Sequence, residues 1–188
     1  VCKFFRKLVR FFGVQGTSRQ SMKQNRFRWQ FLHPRFWLLW LGLGVLWLLV
    51  QLPYPVLLRL GRWLGALMYR FAGSRRHIAR RNLELCFPEL SVTEREYLLR
   101  QNFASTGIAF FEMAMSWWWP HKRLQRLVHI DGLEHLQQAS REEQGVILMA
   151  IHFTTLEIGA ALLGQHHTID GMYRAHKNPA FDYVQRKG

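Results

Sequence analysis

The 188 residues are enough for one ordinary domain with a bounded hydrophobic core, and they carry a formal net charge of +14. Residues 1–83 contain sixteen Lys and Arg and no acid, whereas residues 84–188 contain ten basic and twelve acidic side chains. This uneven charge indicates a basic docking region followed by a separate globular body. The two cysteines, Cys2 and Cys86, lie too far apart to give a metal-ligand spacing.

Residues 1–35 form a basic, aromatic segment that suits an amphipathic interfacial helix and a disordered tail equally well. An uninterrupted run of fifteen apolar residues follows, from Phe36 to Val50. Nucleic-acid modules do not bury such a run beside their basic patch, whereas a lipid surface attracts both features. We therefore expect residues 36–58 to form a membrane anchor, as a kinked span or as an interfacial helix, and expect no nucleic-acid partner.

The residues after the apolar run have helical periodicity. Apolar side chains recur at helical spacing from Arg59 to Phe71, with arginines between them. The basic run from Arg75 to Arg81 extends this surface, and we expect it to meet anionic lipid rather than the phosphates of a substrate. Ser91 and Glu94 form a capping box that predicts the start of a helix, and helical character continues over residues 102–119.

The spacing of the apolar residues changes in the last third of the sequence. The short run from Gly145 to Ile151 is apolar and rich in β-branched residues, which predicts a buried strand. Leu156 to Leu163 predicts the helix that follows it, Asp170 to Tyr173 a second strand, and Asn178 to Gln185 a second helix. Alternating strands and helices predict an α/β fold with a mostly parallel sheet, after a helical N-terminal region.

His152 stands at the junction between the first predicted strand and its helix, five residues before Glu157. Ligands bind at this position in open α/β sheets. His129 and Glu134 have the same spacing but no such junction. Structural explanations stay open, because Thr154 and Glu157 also fit a capping box and His152 fits a buried histidine bonded to the backbone.

The segment from His152 to Glu157, H-F-T-T-L-E, resembles the His-x-x-x-x-acid motif of glycerolipid-type acyltransferases. It has the Glu form used by the late acyltransferases of lipid A biosynthesis. Five further segments resemble that family, and the similarity covers roughly residues 30 to 188. They are His33 to Trp47, Gln51 to Val56, Arg81 to Leu90, the W-W-W-P stretch ending at Pro120, and Tyr173 to Pro179.

The resemblance implies a membrane-anchored, glycerolipid-acyltransferase-like domain in residues 59–188. The catalytic domain of the family continues well beyond this point. We therefore expect the chain to be an N-terminal fragment, truncated at its C-terminus, with incomplete substrate pockets and too little of the domain to act alone.

The implied reaction transfers a fatty acyl chain from acyl carrier protein to a hydroxyl of a Kdo-bearing lipid A precursor. The implied location is the cytoplasmic side of the bacterial inner membrane, in contact with its lipids. His152 would be the general base and Glu157 would orient its imidazole, with no metal or organic cofactor required. Arg174, with Lys177 and Asn178 beside it, would bind an anionic group of the acceptor.

Two other functions stay open at this point. A lysophospholipid or glycerol-phosphate acyltransferase would use the same His-x-x-x-x-acid chemistry on a different acceptor. A basic, membrane-anchored protein would bind lipid or a partner without catalysis. The segments that flank the motif favour the lipid A acceptor.

Overall fold

A computed structural model describes residues 28–141, 146–151, 153–166, 169 and 175–187. These residues contain eight α-helices and no β-strand. The helices are α1 (Trp37–Leu49), α2 (Tyr54–Phe71), α3 (Gly73–Cys86), α4 (Val92–Trp118), α5 (His121–Gln125), α6 (Leu133–Arg141), α7 (Leu156–Leu163) and α8 (Pro179–Lys187). The chain divides into two compact units, a first of residues 1–40 with 173–188 and a second of residues 41–172.

Helices α2 and α4 cross at a distance that only glycine permits. A Cβ atom added to Gly65 would lie 2.3 Å from the carbonyl oxygen of Phe103, and one added to Gly107 would lie 2.1 Å from that of Gly61. Both distances are well below van der Waals contact, so any larger residue would push the backbones apart. Gly61 and Gly65 stand four residues apart on one face of α2, and together they form the groove that α4 occupies.

The start of α2 is joined to the middle of α4 by a hydrogen bond. The Tyr54 hydroxyl donates to Oε1 of Glu112 at 2.8 Å, and Glu112 is buried. Burial, and then the hydrogen bond to Glu112, raise the pKa of Tyr54 to about 12. The phenol therefore stays protonated near neutral pH and satisfies an oxygen of a carboxyl group that would otherwise be costly to bury.

The main hydrophobic core of the second unit lies where α2, α4, α5 and α7 meet the end of α1. Its buried members are Leu46, Val50, Leu57, Phe111, Ala114, Met115, Trp119, Leu124, Ile158 and Leu162. Ile158 and Leu162 stand four residues apart on one face of α7, which contacts both α4 and α5. Burial of this face fixes α7 against the rest of the unit.

Residues 36–58, which the sequence predicts as a membrane anchor, are shared between α1 and α2. The thirteen residues of α1 make a helix about 20 Å long, whereas the hydrocarbon core of a bilayer is about 30 Å thick. Within the described residues, no helix is both long enough and apolar enough to cross a membrane.

The break between α1 and α2 comes at Pro53, which has no N–H and so cannot extend α1. Side chains from the region of α5 satisfy the carbonyl groups that this break exposes. Nε1 of Trp119 donates to the Val50 carbonyl, and Nη2 of Arg123 donates to the Leu52 carbonyl at 2.9 Å. The Arg123 cation also suits the negative end of the α1 dipole.

The helix predictions are confirmed: Arg59 to Phe71 lies in α2, residues 102–119 lie largely in α4, and Asn178 to Gln185 lies largely in α8. Ser91 caps α4, because its hydroxyl accepts from the Glu94 N–H while the Glu94 carboxylate accepts from the Ser91 N–H at 2.8 Å. These bonds hold the pKa of Glu94 below its usual range. The helix predicted at Leu156 to Leu163 is α7, with the same bounds.

The strand predicted at Gly145 to Ile151 is wrong for the part that the structure describes. Residues 146–151 have no regular secondary structure, and Ile147 and Met149 are exposed. A strand is stable only when a second strand pairs with its N–H and C=O groups. The described residues contain no strand that could pair with residues 146–151. The expected α/β sheet is therefore absent from this mostly helical part. The second predicted strand, Asp170 to Tyr173, lies outside the described residues.

The first unit has its own small core, formed by α8 and the aromatic residues before α1. Phe31, Phe36 and Ala180 are buried there. The Phe31 ring lies 5.7 Å from that of Tyr183, and Nε1 of Trp40 donates to the Phe31 carbonyl at 2.7 Å. The segment preceding α1 is therefore packed and hydrogen-bonded from residue 31 onward.

We expect Gly65→Ala to lower the free energy of unfolding by about 1–3 kcal/mol, because the new methyl group must displace backbone atoms of α4. Gly42→Ala in α1 is the matched control, since no atom lies within 4 Å of its added Cβ. The control should be neutral or about 1 kcal/mol more stable, because Ala is the better helix former. Urea denaturation followed by circular dichroism measures both, and equal effects would contradict the close crossing.

Candidate active site

Glu157 lies in the first turn of α7, directly beside the face by which that helix is fixed. Its neighbour Ile158 is buried in the core of the second unit, and so is Leu162 one turn later. The Glu157 side chain itself is exposed. The helix therefore presents this carboxylate outward from a backbone that packing holds in place.

The structure does not support the helix-capping explanation for Glu157. A capping box would need Thr154 at the N-cap and Glu157 three residues later. Instead α7 begins at Leu156 with Thr155 at the N-cap, and no side chain caps the helix. Within the described residues, the Glu157 carboxylate has no hydrogen bond or ion pair. It is therefore available to a neighbouring group.

His152 and Arg174 lie outside the described residues. The residues on either side of His152 are described, and the Phe153 N–H donates to the Ile151 carbonyl at 2.8 Å. A second bond, from the Leu156 N–H to the Phe153 carbonyl at 3.2 Å, closes the turn that enters α7. His152 is thus followed at once by a turn that leads into the helix of Glu157.

An apolar cavity of about 970 Å³ lies beside the start of α7. Its walls come from residues 128–131, two residues of α6, residues 146–148 and 150–151, and α7. The apolar side chains that line it include Val146, Leu148, Ile151, Phe153, Leu156 and Ile169. This volume is at the upper end of the range for small-molecule sites, about 300–1,000 Å³, and the walls suit a hydrocarbon chain better than a polar ligand.

His129, the other histidine with a carboxylate five residues on, lines the same cavity. Its Nε2 lies 2.9 Å from Oδ1 of Asp131, and both side chains are largely exposed. Glu134 lies instead 3.9 Å from His135. The matching spacing therefore does not produce a His129–Glu134 pair. Among the described residues, no group of three His, Cys, Asp or Glu side chains is arranged to hold a metal ion.

Asn178 caps α8 in the first unit. Its Oδ1 accepts from the N–H groups of Ala180 at 3.1 Å and Phe181 at 3.3 Å. Its own N–H donates to Nδ1 of His176 at 3.0 Å. The sequence carries the signal for this role, an Asn followed by Pro179 at the first helical position. The side-chain oxygen is therefore engaged, while the amide NH₂ is the group left to contact a ligand.

Asp182 is a buried residue of the same turn that the sequence analysis missed. Its carboxylate accepts from the His176 N–H at 2.6 Å and pairs with Nε of Arg186 at 2.8 Å. The signal was an Asp and an Arg four residues apart on a helix. Lys177 is exposed, and no carboxylate of the described residues pairs with it.

The chain matches the family model described as bacterial lipid A biosynthesis acyltransferase over residues 24–188. It is 47% identical over 163 residues to the lipid A biosynthesis lauroyltransferase of Escherichia coli K12, which is 87% of this chain and 53% of that protein. It is 46% identical over 165 residues to the palmitoleoyltransferase of the same organism, covering 88% of this chain and 54% of that protein.

A lipid A biosynthesis acyltransferase of Haemophilus influenzae is 40% identical over 171 residues, which is 90% of this chain and 54% of that protein. The chain therefore spans about half the length of the curated relatives it matches. No solved structure gives a significant match.

We expect Asn178→Ala to lower the free energy of unfolding by about 1 kcal/mol, because it removes the acceptor for two N–H groups at the start of α8. Asn178→Asp keeps that acceptor and should be close to the wild type. Thermal denaturation of the two variants makes the comparison. If the Ala and Asp variants melt together, the capping role is wrong.

Proposed function

The chain belongs to the bacterial lipid A biosynthesis acyltransferase family, and from that premise we propose that it carries the catalytic dyad of an acyl-carrier-protein-dependent acyltransferase. The acceptor is a hydroxyl of a Kdo-bearing lipid A precursor. The observation that carries the proposal is the exposed Glu157 carboxylate, which does not cap α7 and directly follows Leu156, a residue that lines the large apolar cavity. His152 precedes this helix at the spacing of the acyltransferase motif.

In the proposed reaction, the acceptor hydroxyl attacks the thioester carbonyl of the acyl donor. Neutral His152 takes the hydroxyl proton as the new C–O bond forms, which contributes about 10²–10⁴-fold in rate. The tetrahedral intermediate then collapses, the C–S bond breaks, and the imidazolium returns its proton to the departing thiolate. The nucleophile belongs to the substrate, so the acyl group is never bound covalently to the protein.

Glu157 acts on the reaction through His152. A carboxylate that accepts from one imidazole nitrogen fixes the ring in the tautomer whose other nitrogen is a base, and stabilises the imidazolium. A carboxylate already engaged in a cap or an ion pair would be less suited to this role. Glu157 has neither among the described residues, while the buried Ile158 fixes its position.

The cavity beside α7 is proposed to receive the acyl chain of the donor. Moving each methylene of such a chain from water into an apolar wall contributes about 0.8 kcal/mol, so a long chain supplies substantial binding energy. Residues such as Leu148, Ile151 and Phe153 provide that wall, and the last two flank His152 in the sequence. An acyl chain held there would bring its thioester close to the start of α7.

The anionic acceptor is proposed to bind through Arg174, with Lys177 and Asn178 beside it. Arg174 can form two parallel hydrogen bonds to a phosphate or carboxylate. Lys177 is exposed and adds positive charge. Because the Asn178 oxygen caps α8, its contribution is limited to the donors of its amide group.

We place the protein at the cytoplasmic face of the inner membrane, in contact with its lipids. The support is α1, whose exposed side chains are apolar along its whole length. They include Trp37, Leu38, Leu41, Val45, Trp47 and Leu48. A helix that exposes so many large apolar groups fits attachment to a membrane surface better than exposure to water.

We expect His152→Ala in the full-length enzyme to lower kcat/KM at least about 100-fold, because it removes the general base. Glu157→Gln should also lower the rate at least about 100-fold while leaving the melting temperature unchanged, since Glu157 caps nothing. His129→Ala, the variant of the other histidine with matching spacing, should lower kcat/KM less than about tenfold, because this imidazole lines the cavity but takes no part in the proton transfer.

The assay follows acyl transfer from an acyl carrier protein donor to the Kdo-bearing lipid A precursor, with lysophosphatidic acid as the comparison acceptor. An active His152→Ala enzyme would exclude the mechanism. Transfer to lysophosphatidic acid alone would exclude the lipid A acceptor in favour of the lysophospholipid reaction. No transfer to either acceptor would favour a binding protein without catalysis.

We expect Arg174→Ala to raise the KM for the lipid A precursor about tenfold or more while changing kcat less, because the contact is made to the acceptor in its ground state. Arg174→Lys should restore binding only in part, since an ammonium cannot form two parallel bonds to one anion. Arg126→Ala, an exposed residue beyond α5, is the control. Identical acceptor kinetics for Arg174→Ala and the control would remove Arg174 from the site.

A further inference from the structure

A second cavity, of about 460 Å³, lies between α2, α3 and α4 and shares no lining residue with the cavity beside α7. Four of its lining side chains are arginines, namely Arg62 and Arg70 of α2, Arg76 of α3 and Arg100 of α4, and the ring of Tyr69 completes one wall. Three helices thus bring guanidinium groups to one concave surface. Such a surface is suited to an anion.

Tyr69 holds two of these arginines in position. The guanidinium carbons of Arg76 and Arg100 lie 5.0 and 5.1 Å from the centre of its ring, within the range of cation–π contacts. Arg76 also donates to the Tyr69 carbonyl at 2.9 Å, and the Tyr69 hydroxyl donates to Glu96. These two guanidinium groups are therefore placed by the protein rather than extended freely into water.

Positive charge in this cavity exceeds negative charge. In the described part of the chain, only Glu96 brings a carboxylate within 4.0 Å of these arginines, and it is shared by Arg80 at 3.0 Å and Arg100 at 3.8 Å. The hydrogen bond from Tyr69, and then that from Arg80, hold the pKa of Glu96 below its usual range. Arg62 and Arg70 pair with no carboxylate of the described residues, so their mutual repulsion is relieved when an anion binds.

An exposed apolar stripe runs along α2 next to the arginines. Trp63, Leu67 and Phe71 stand four residues apart and are 65%, 39% and 73% exposed. Residues at this spacing share one face of a helix, and Arg62 and Arg70 border that face. Apolar and aromatic side chains edged by arginines are typical of helices that lie in a membrane interface. A nucleic acid would make no use of the stripe.

We propose that this arginine cavity binds the phosphate group of an anionic membrane lipid, while Trp63, Leu67 and Phe71 enter the acyl region of the same leaflet. The guanidinium fork matches two phosphate oxygens, and four arginines on three helices can surround one phosphate group. The proposal does not depend on the acyl-transfer chemistry, because neither His152 nor Glu157 takes part in this site.

The test measures binding of the full chain to phosphatidylcholine vesicles with and without phosphatidic acid. Arg62→Gln/Arg70→Gln should weaken binding to the vesicles with phosphatidic acid at least about tenfold. Lys122→Gln/Arg126→Gln removes the same charge from the region of α5 and should change binding less than about threefold. Circular dichroism checks that both double variants are folded, as expected for side chains whose charged groups bond to no described residue.

Two further measurements separate the lipid from other sources of phosphate. Trp63→Ser/Phe71→Ser should weaken vesicle binding but retain binding of inorganic phosphate in calorimetry, which the arginine double variant should lose. The proposal is overturned if both charge-removing pairs weaken vesicle binding equally, or if the arginine pair leaves it unchanged. Tighter binding of duplex DNA than of vesicles, lost in the arginine variant, would also overturn it in favour of a nucleic-acid site.

Discussion

The contact between Gly61 and Gly65 of α2 and Gly107 of α4 determines how the rest of the second unit is arranged. Because these helices are in contact backbone to backbone, the crossing determines which side chains of α2 and α4 face each other on either side of it. Toward the N-terminus of α4 this places Arg100 beside the arginines of α2 and α3. Toward its C-terminus it places Ala114 and Met115 in the core that receives α7. One interhelical distance thus sets the geometry of two separate surfaces.

These two surfaces have different chemistry, and they lie well apart along α4. Arg100 and Ala114 are fourteen residues apart, which is about 21 Å along a helix axis. The arginine cavity gathers positive charge at one end, and the apolar cavity beside α7 lies at the other. An enzyme that joins a long acyl chain to a phosphorylated lipid must handle both kinds of group. In the two proposals, the arginine cavity binds a lipid phosphate and the apolar cavity receives the acyl chain.

The sequence predicted those features whose cause is local. The capping box of Ser91 and Glu94 begins a helix because its bonds join residues three apart, and the period of Leu156 to Leu163 is enough to define α7. The strand prediction for Gly145 to Ile151 was wrong in its described part, because a strand needs a pairing strand elsewhere in the chain and no local pattern shows whether one exists. Likewise the spacing of Gly61 and Gly65 is visible in the sequence, but the sequence does not show that α4 packs against them.

In the candidate site, too, some features follow from the local sequence and others depend on the fold. Composition and spacing single out Glu157 but cannot decide whether it caps α7 or assists catalysis. A capping box needs Thr154 at the N-cap, whereas the N-cap is Thr155, one residue later. The structure shows that no capping box forms at α7 and that the Glu157 carboxylate is exposed. It also shows that Asn178 has a structural role, which the Asn-Pro pair in the sequence could have indicated.

The most direct test of the central claim, that Glu157 acts through His152, is a double-mutant cycle on kcat/KM in the full-length enzyme. If the two residues form one catalytic unit, the variant carrying both His152→Ala and Glu157→Gln should be no slower than His152→Ala alone, because an orienting carboxylate has no effect without its imidazole. If the two losses multiply, Glu157 acts independently of His152, and the proposed dyad is contradicted.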